Sequence, residues 1–386
     1  MAYRKQLLFS TSSYQPLRDA MLRTGKFEAG KIARSIDSTG QPSTADVPFP
    51  DGERYHALLE DVTDREVILL GGTIDDRETM ELLDIGNMLV DNAAARLKIV
   101  IPYFGCSTQE RSVLPHEAVK AKYRARMISS IPRAANGNRV FLFDLHSEGI
   151  PHYFEGGLIP SHIYAKPLVI SAANQLAAHI ASQVKANEGS DKGPLDGLKV
   201  DLQTCMSPDV DKALAEARKK QKLVGEPFCL ASTDTGRAKW VESLTRDMVA
   251  HGLPVHPAFI IKRRSGGSST EVLDISADVE GKIVIIYDDM IRTGGSLIRA
   301  AEAYRRKGAA HVAAISTHGI FPGDALKRLE DSGQFVRLVV TDSHPRVLDL
   351  QSEFLQVVSC AELLTENLVL VTGKKKSPSA GTNKSA

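Results

Sequence analysis

Residues 288–296 combine two adjacent carboxylates with a glycine-containing loop, and residues of these types can bind a phosphorylated sugar. An apolar run reads as a buried strand that ends at Asp288 and Asp289, and an amphipathic stretch follows the loop. Glycines let a backbone approach a ligand closely, and the free amides at a helix start favour a phosphate. The carboxylates suit sugar hydroxyls or a metal, because open α/β sheets bind ligands at the carboxyl ends of their strands. The segment therefore predicts a ribose-phosphate site, although a plain strand, turn and helix would also explain a Gly-Gly pair.

The loop itself is Thr293, Gly294, Gly295 and Ser296. Its two hydroxyls add donors to those of the backbone amides, so these four residues are the candidates for holding the phosphate. The pattern GxxxxGK[ST] is absent from the chain, which argues against a Walker-type nucleotide site.

Two further segments carry residue types that suit metal or phosphate chemistry. His146 follows an apolar run and could form a metal cluster with Glu148 and His152, or it could be a hydrogen-bonded structural histidine. The basic segment 262–264 precedes a Gly- and Ser-rich stretch, 265–270, whose composition suits a moving flap. A solvated basic turn is the alternative there.

The elements that must position these residues alternate along the chain. Apolar runs predict strands, and amphipathic stretches predict helices between them. The predicted strands are 66–70, 98–101, 139–144, 228–232, 282–287, 312–316 and 336–341, and the predicted helices are 77–95, 116–131 and 296–307, the last with Gly308 as its C-cap. Continuous apolar strands alternating with helices indicate parallel sheets covered on both faces.

Such a chain is too long for one sheet of this kind, so we predict two tandem α/β domains, 1–165 and 166–372. Residues 185–225 are rich in Gly, Pro, Asp and Lys and are predicted to be an insertion, in which 210–222 could form a surface helix. Residues 373–386 are predicted to be a disordered tail.

The composition excludes several classes of function. The 386 residues include 48 Lys plus Arg and 47 Asp plus Glu, so no overall basic field favours a nucleic acid or a membrane as partner. No apolar stretch approaches the roughly 20 residues of a membrane helix, and no signal peptide is recognisable at the start. The four cysteines form no CxxC pair, which argues against zinc and a disulfide framework. A cytoplasmic protein is expected.

Several segments, taken in order, resemble motifs of the ribose-phosphate pyrophosphokinases, or PRPP synthetases. The loop at 288–296 resembles the PRPP loop, which this family shares with the type I phosphoribosyltransferases. The other matching segments are 49–53 (FPDGE), 80–83 (MELL), 101–104 with 108–111 (IPYF and TQER, against IPYFxYxRQDR), 143–146 (FDLH), 231–239 (ASTDTGRAK, against SPDxGGxKR), 261–264 (IKRR) and 317–321 (THGIF). The transferases usually have one such domain, whereas the synthetases have two, with ATP-binding features in the first.

The resemblance implies two tandem phosphoribosyltransferase type I-like domains, each a mainly parallel sheet flanked by helices. It implies transfer of the β,γ-diphosphate of Mg²⁺-ATP to the 1-hydroxyl of ribose 5-phosphate, which gives PRPP and AMP. It further implies a homo-oligomer, because the FPDGE segment of the family often contacts adenine in a neighbouring subunit.

The resemblance also implies roles for individual residues. ATP would be bound by Phe49, Asp51, Glu53, Gln109, Glu110 and Arg111. Magnesium would contact His146 and Asp234, and the catalytic cations would be Lys262 and Arg264. The ribose phosphate would be held by Asp234, Asp288, Asp289, Arg292, Thr293, Gly294, Gly295 and Ser296.

The chain departs from the family pattern at specific positions. Thr108 stands where RQD has its arginine, Trp240 replaces the arginine after Lys239, and the segment 129–132 is more similar to a divergent, phosphate-independent class. Arg292 stands where the usual loop has an acid before TGG. An arginine there could bind a larger anion such as the diphosphate of ADP-ribose, or it could point outward without a role.

These departures leave a second acceptor open, namely the terminal ribose of ADP-ribose in an NAD-salvage reaction. A non-catalytic regulatory homologue is a weaker alternative, because the carboxylate pair, the TGGS loop and Lys262 are all present. A transferase that consumes PRPP is disfavoured by the ATP-type motifs of the first half.

Overall fold

The computed structural model describes residues 4–187, 227–234, 236–250, 252–264 and 270–370. Most of the predicted insertion, from residue 188 onward, lies outside the described residues. The predicted helix at 210–222 and the predicted tail at 373–386 also lie outside them.

The first half of the chain is built on a six-stranded parallel sheet. Its strands and the short strands beside it are β1 Leu7–Ser10, β2 Glu28–Ala29, β3 Ile32–Ala33, β4 Ser35–Ile36, β5 Pro42–Ser43, β6 Ala57–Leu58, β7 Glu66–Leu70, β8 Arg96–Ile101, β9 Asn138–Phe143 and β10 Ile159–Ile163. The sheet order is β10-β9-β8-β7-β1-β2, and the pairs β3–β6 and β4–β5 form two small antiparallel ribbons. The helices of this half are α1 Gln15–Arg23, α2 Asp76–Asp91 and α3 Lys120–Ser129.

The second half repeats this plan. Its strands are β11 Phe228–Ser232, β12 Val255–Ala258, β13 Ile260–Arg264, β14 Thr270–Ile275, β15 Ile283–Ile291, β16 His311–Gly319, β17 Leu338–Thr341 and β18 Leu355–Val358. The parallel sheet has the order β12-β11-β15-β16-β17-β18, and β13 and β14 form a separate antiparallel hairpin. The helices are α4 Lys166–Asn187, α5 Ala238–Ala250, α6 Gly295–Arg306, α7 Ala325–Asp331 and α8 Ala361–Leu370.

The predicted fold class is confirmed, because both sheets are parallel, carry helices and lie one after the other in the chain. The core strands are apolar and buried along their length, as in Val67–Leu70 of β7 and Val284–Tyr287 of β15. Parallel strands covered on both faces need such continuous apolar runs. The positions of the domain boundaries stay a prediction.

Several predicted element ends were wrong. The strand predicted to end before Asp288 continues to Ile291, because Met290 and Ile291 pair with His318 and Gly319 of β16. Pairing with a neighbouring strand therefore extends both β15 and β16 through polar residues. The predicted helix 77–95 ends at Asp91, and the predicted helix 116–131 spans only Lys120–Ser129.

The two halves share one buried apolar cluster, which contains residues of both sheets together with α1, α4 and α8. A polar junction accompanies it where β9 ends. The Asp144 carboxylate accepts hydrogen bonds from the Tyr287 hydroxyl (3.0 Å) and from the Thr317 hydroxyl. His318 Nε2 lies 3.1 Å from the Asp144 carbonyl oxygen. The carboxyl end of β9 is thus joined to the second sheet.

Within the part of the chain that the structure describes, no helix is both long enough and apolar enough to cross a bilayer.

Candidate active site between the two sheets

A cavity of about 530 Å³ lies where the carboxyl ends of β9, β11 and β15 meet. It contains residues of both halves that the sequence singled out separately. The predicted site residues that line it are His146, Asp234, Asp288, Asp289, Arg292, Thr293, Gly294, Gly295 and Ser296. Thr108, Thr233 and Arg237 line it as well, although the sequence analysis assigned none of them to the site.

The predicted phosphate loop connects β15 to α6. Gly294 is the N-cap residue of α6 with φ +79°, a conformation that a residue with a Cβ rarely adopts. A Cβ at this position would also lie 2.8 Å from Cγ of Leu329, so the local packing requires glycine. The first helical bond runs from the amide of Ile298 to the Gly294 carbonyl. The amides before it belong to the helix start, where an anion is favoured.

The acidic pair is held by residues from two other elements. Asp289 Oδ2 lies 2.7 Å from Nδ1 of His146, and Asp289 Oδ1 lies 2.6 Å from Nη2 of Arg237. Asp288 Oδ2 accepts a hydrogen bond from the Thr233 hydroxyl (3.2 Å), and its Oδ1 lies 3.9 Å from Nε of Arg237. Residues from the segment after β9, from the loop after β11 and from β15 therefore meet around two adjacent carboxylates.

The two carboxylates differ in acidity. Burial and the adjacent charge of Asp289 raise the pKa of Asp288 to about 7. Burial also acts to raise the pKa of Asp289, but the hydrogen bond from His146 and the charge of Arg237 outweigh it and lower that pKa to about 2. Nδ1 of His146 faces both Asp289 Oδ2 and Nη2 of Arg237, which leaves Nε2 as the ring nitrogen that can offer a lone pair to a cation.

Among the described residues, no three His, Cys, Asp or Glu side chains are arranged to hold a metal ion by themselves. Glu148 and His152 therefore do not complete the cluster that the sequence suggested around His146. Asp234 lines the cavity, and its Oδ1 accepts a hydrogen bond from the Gly236 amide (2.9 Å).

The segment predicted to bind ATP reaches the cavity through Thr108. Nη1 of Arg292 lies 3.4 Å from the Thr108 hydroxyl, which joins this segment to the phosphate loop. Gln109 is exposed, and the Glu110 carbonyl accepts a hydrogen bond from Tyr153 (2.6 Å). The side chain of Arg111 is 78% exposed and lies 3.5 Å from Glu110.

Phe49, Asp51 and Glu53 are not among the described residues that line the cavity. Phe49, Asp51 and Glu53 form an exposed turn, in which the Phe49 amide donates to the Glu53 carbonyl (2.9 Å). The backbone of Lys262 and Arg264 belongs to β13, opposite Val272 and Thr270 of β14. The side chains of Lys262 and Arg264 lie outside what the structure describes.

Comparisons with known proteins identify the family of the chain. Residues 21–131 match the N-terminal domain of ribose phosphate pyrophosphokinase, and residues 255–377 match the phosphoribosyl synthetase-associated domain. The chain is 31% identical over 322 residues to the ribose-phosphate pyrophosphokinase of Prochlorococcus marinus (strain MIT 9313), which covers 82% of this chain and 79% of the relative. The chain belongs to the ribose-phosphate pyrophosphokinase family.

Other relatives span plants as well as bacteria. The chain is 30% identical over 323 residues to the chloroplastic ribose-phosphate pyrophosphokinase 1 of Oryza sativa subsp. japonica, covering 83% of this chain and 67% of the relative. The crystal structure of phosphoribosylpyrophosphate synthetase from Mycobacterium smegmatis has the same fold, with a TM-score of 0.69, 23% identity and coverage of 95% and 99% of the two chains. The protein is thus a diphosphotransferase of the ribose-phosphate diphosphokinase type.

Of the three cavity residues that the sequence analysis left unassigned, Arg237 is the one that contacts both His146 and Asp289. It stands where the family motif SPDxGGxKR has its second glycine, so a glycine-to-arginine change was the signal that could have revealed it. Its partners His146 and Asp289 are 91 and 52 residues away in the sequence, and no local pattern connects them. Arg292 and Thr108, two other departures from the family pattern, contact each other.

Proposed function

We propose that this ribose-phosphate pyrophosphokinase transfers the β,γ-diphosphate of Mg²⁺-ATP to the 1-hydroxyl of ribose 5-phosphate, giving PRPP and AMP. One observation carries the proposal: the phosphate loop of the second half and His146 of the first half line the same cavity. A site for the sugar phosphate and a residue from the ATP side of the protein therefore face each other. Diphosphoryl transfer depends mainly on such positioning of two anionic substrates and on neutralising their charge.

The sugar phosphate would bind along the carboxyl end of β15. The amides at the start of α6, with the hydroxyls of Thr293 and Ser296, would hold the 5-phosphate. Asp288 and Asp289 lie a few residues earlier on the same strand and would accept hydrogen bonds from the ribose hydroxyls. This arrangement would leave the 1-hydroxyl directed toward the ATP side of the cavity.

The magnesium ion of Mg²⁺-ATP would be contacted by His146, with Asp234 as a second contact. The Asp289–His146 hydrogen bond fits this role, because histidines that bind metals usually donate their other ring N–H to a carboxylate. Magnesium bound to phosphates keeps several water ligands, so few protein ligands are needed. When bound, the ion would neutralise charge on the phosphate oxygens.

Lys262 and Arg264 would neutralise charge on the migrating diphosphate. They lie on β13, which pairs with β14 in the second half of the chain. Loss of one such electrostatic donor typically raises the barrier by about 3–4 kcal/mol. The adenine would be held by Phe49, Asp51 and Glu53 of a neighbouring copy in a homo-oligomer, since this turn is exposed and does not line the cavity of its own chain. Gln109, Glu110 and Arg111 would complete the ATP site.

A second acceptor, ADP-ribose, is favoured by one observation. Arg292 is exposed, lines the cavity and points its Nη1 toward Thr108, so it could bind the diphosphate of a larger acceptor. The chemistry would be the same diphosphoryl transfer to the terminal ribose.

The test is AMP release from Mg²⁺-ATP with ribose 5-phosphate in one tube and ADP-ribose in another, with an acceptor-free tube as the control for ATP hydrolysis. AMP with ribose 5-phosphate alone is the expected result. AMP with ADP-ribose alone would replace the proposed acceptor by the larger one. No AMP in either tube, from folded protein, would contradict both and favour a regulatory homologue.

A further inference from the structure

We propose that the guanidinium of Arg237 is a built-in cation for the Asp288–Asp289 pair and occupies the place where a divalent metal ion would otherwise bind these carboxylates. The proposal concerns the protein alone. Only its consequence for catalysis rests on the proposed function.

The position of Arg237 is set by contacts to three groups. Its Nη2 lies 2.6 Å from Asp289 Oδ1 and 2.9 Å from His146 Nδ1, and its Nε lies 3.9 Å from Asp288 Oδ1. Nη2 also lies 3.5 Å from the carbonyl oxygen of His146. The guanidinium thus lies against the His146 imidazole and the Asp289 carboxylate.

These distances leave no space for an additional ion at the same point. Magnesium binds oxygen at about 2.0–2.1 Å, so an ion on the side of Asp289 Oδ1 that faces Arg237 would collide with the guanidinium nitrogen, which lies 2.6 Å from that oxygen. A metal could take this position only by displacing Arg237. That displacement would leave a charged side chain without its partners in a setting where Arg237 is 14% exposed and Asp289 is 4% exposed.

The charges support the same conclusion. Two adjacent carboxylates facing a cavity repel each other and attract a cation, and a divalent ion would meet this need. The planar guanidinium of an arginine can also neutralise the two carboxylates, and it is part of the protein. The carboxylates therefore need no free cation in order to present their remaining lone pairs to a sugar. The consequence is that only the ion carried by ATP is required for the reaction.

Binding of Mn²⁺ to the ligand-free protein tests the proposal without turnover. Mn²⁺ prefers oxygen ligands as Mg²⁺ does, and electron paramagnetic resonance measures the free ion directly. The wild type is expected to leave equimolar Mn²⁺ in solution. R237A and R237Q remove the cation that neutralises the two carboxylates, and we expect each to bind Mn²⁺ at least about tenfold more tightly than the wild type. The double variant R237A/D289N should lose this gain.

R292A is the matched control, because it removes one positive charge from the same cavity without touching the carboxylate pair. It should bind Mn²⁺ as weakly as the wild type. Equal binding by R237A and R292A, or by R237A and the wild type, would overturn the proposal. Trp240, the single tryptophan, lies with its ring 5.5 Å from that of Tyr287, so its fluorescence reports whether each variant is folded.

The wild type provides a test even if both Arg237 variants fail to fold. A Mn²⁺ site in the wild type that disappears in D289N would overturn the proposal, whereas its absence supports it. For catalysis, the wild-type rate should saturate once all ATP is complexed with Mg²⁺, and the rate of R237A should continue to rise with free Mg²⁺. If neither releases AMP with any acceptor, the proposed function fails, while the Mn²⁺ result still decides the role of Arg237.

Discussion

The hydroxyl of Tyr287 donates a 3.0 Å hydrogen bond to the carboxylate of Asp144, and this bond crosses between the two sheets. Tyr287 directly precedes Asp288, and Asp144 lies two residues before His146. The bond therefore connects the strand that carries the acidic pair with the strand end that carries the histidine. Both residues are buried, so the bond is protected from water.

Removal of this hydrogen bond should impair both stability and catalysis. We expect Y287F to lower the free energy of unfolding by about 1–2 kcal/mol, because the buried Asp144 loses one donor. We also expect it to lower kcat for AMP release, because His146 and Asp289 lose a restraint on their spacing. Urea unfolding and steady-state kinetics measure the two effects.

Tyr304 offers the matched control. Its buried hydroxyl lies 3.0 Å from the Ser232 carbonyl and stays within the second half. Y304F should lose a similar amount of stability with little change in kcat. Equal losses of kcat in Y287F and Y304F would contradict a positioning role for the Tyr287–Asp144 bond.

The phosphate loop should not tolerate a side chain at Gly294. G294A combines a positive φ with a contact of 2.8 Å to Leu329, so we expect the loop to shift and the KM for the sugar phosphate to rise by about tenfold or more. G323A is the control: its φ is +58°, but a Cβ there meets nothing within 4 Å. It should lose about 1 kcal/mol of stability and keep its KM. A normal KM in G294A would contradict the assigned phosphate site.

Acid should destabilise the folded protein through the buried His344. Burial, aided by the neighbouring His318 and Arg346, lowers the pKa of His344 to about 4. In the unfolded chain His344 has an ordinary pKa near 6.5, so on acidification the unfolded chain takes up a proton before the folded protein does. The free energy of unfolding should therefore be unaffected above pH 6.5 and should fall by about 3 kcal/mol as the pH decreases toward 4.

H344N removes this titration and keeps an oxygen that can accept from the Arg346 amide, as Nδ1 of His344 does now. Urea unfolding of both proteins between pH 4 and 7.5 gives the difference. The wild type should lose stability more steeply than H344N across this window. Parallel curves would show that His344 does not carry the effect.

Lys98 should make the free energy of unfolding depend on pH in the alkaline range. It is 1% exposed within the first sheet, with Nζ 3.3 Å from Gln6 and 3.4 Å from the Leu368 carbonyl of α8. Burial lowers its pKa to about 8. Because the unfolded lysine still holds its proton up to about pH 10.4, stability should rise between pH 8 and 10 by up to about 3 kcal/mol.

K98M removes the buried charge, so it should be more stable than the wild type at pH 7, and the difference should shrink toward pH 10. K5M, at an exposed lysine near the same sheet, is the control and should match the wild type at both pH values. A K98M protein that is less stable than the wild type at pH 7 would show that the contacts to Gln6 and Leu368 outweigh the burial of the charge.

The sequence by itself determined the fold class and the position of the loop that begins α6. Both depend on local information: continuous apolar runs form buried parallel strands, and a Gly-Gly turn before an amphipathic stretch forms the helix start. The proximity of Asp288 and Asp289 to this loop could therefore be predicted without a structure.

Only the tertiary structure decided which groups surround the acidic pair. Asp289 and His146 are 143 residues apart, and the place of Arg237 between them depends on how two sheets pack, which no periodic pattern encodes. The extension of β15 to Ile291 had the same origin, because pairing with β16 overrode the polar residues that indicated a strand end. Local chemistry is fixed by neighbours in the chain, whereas the electrostatics of the site are fixed by neighbours in space.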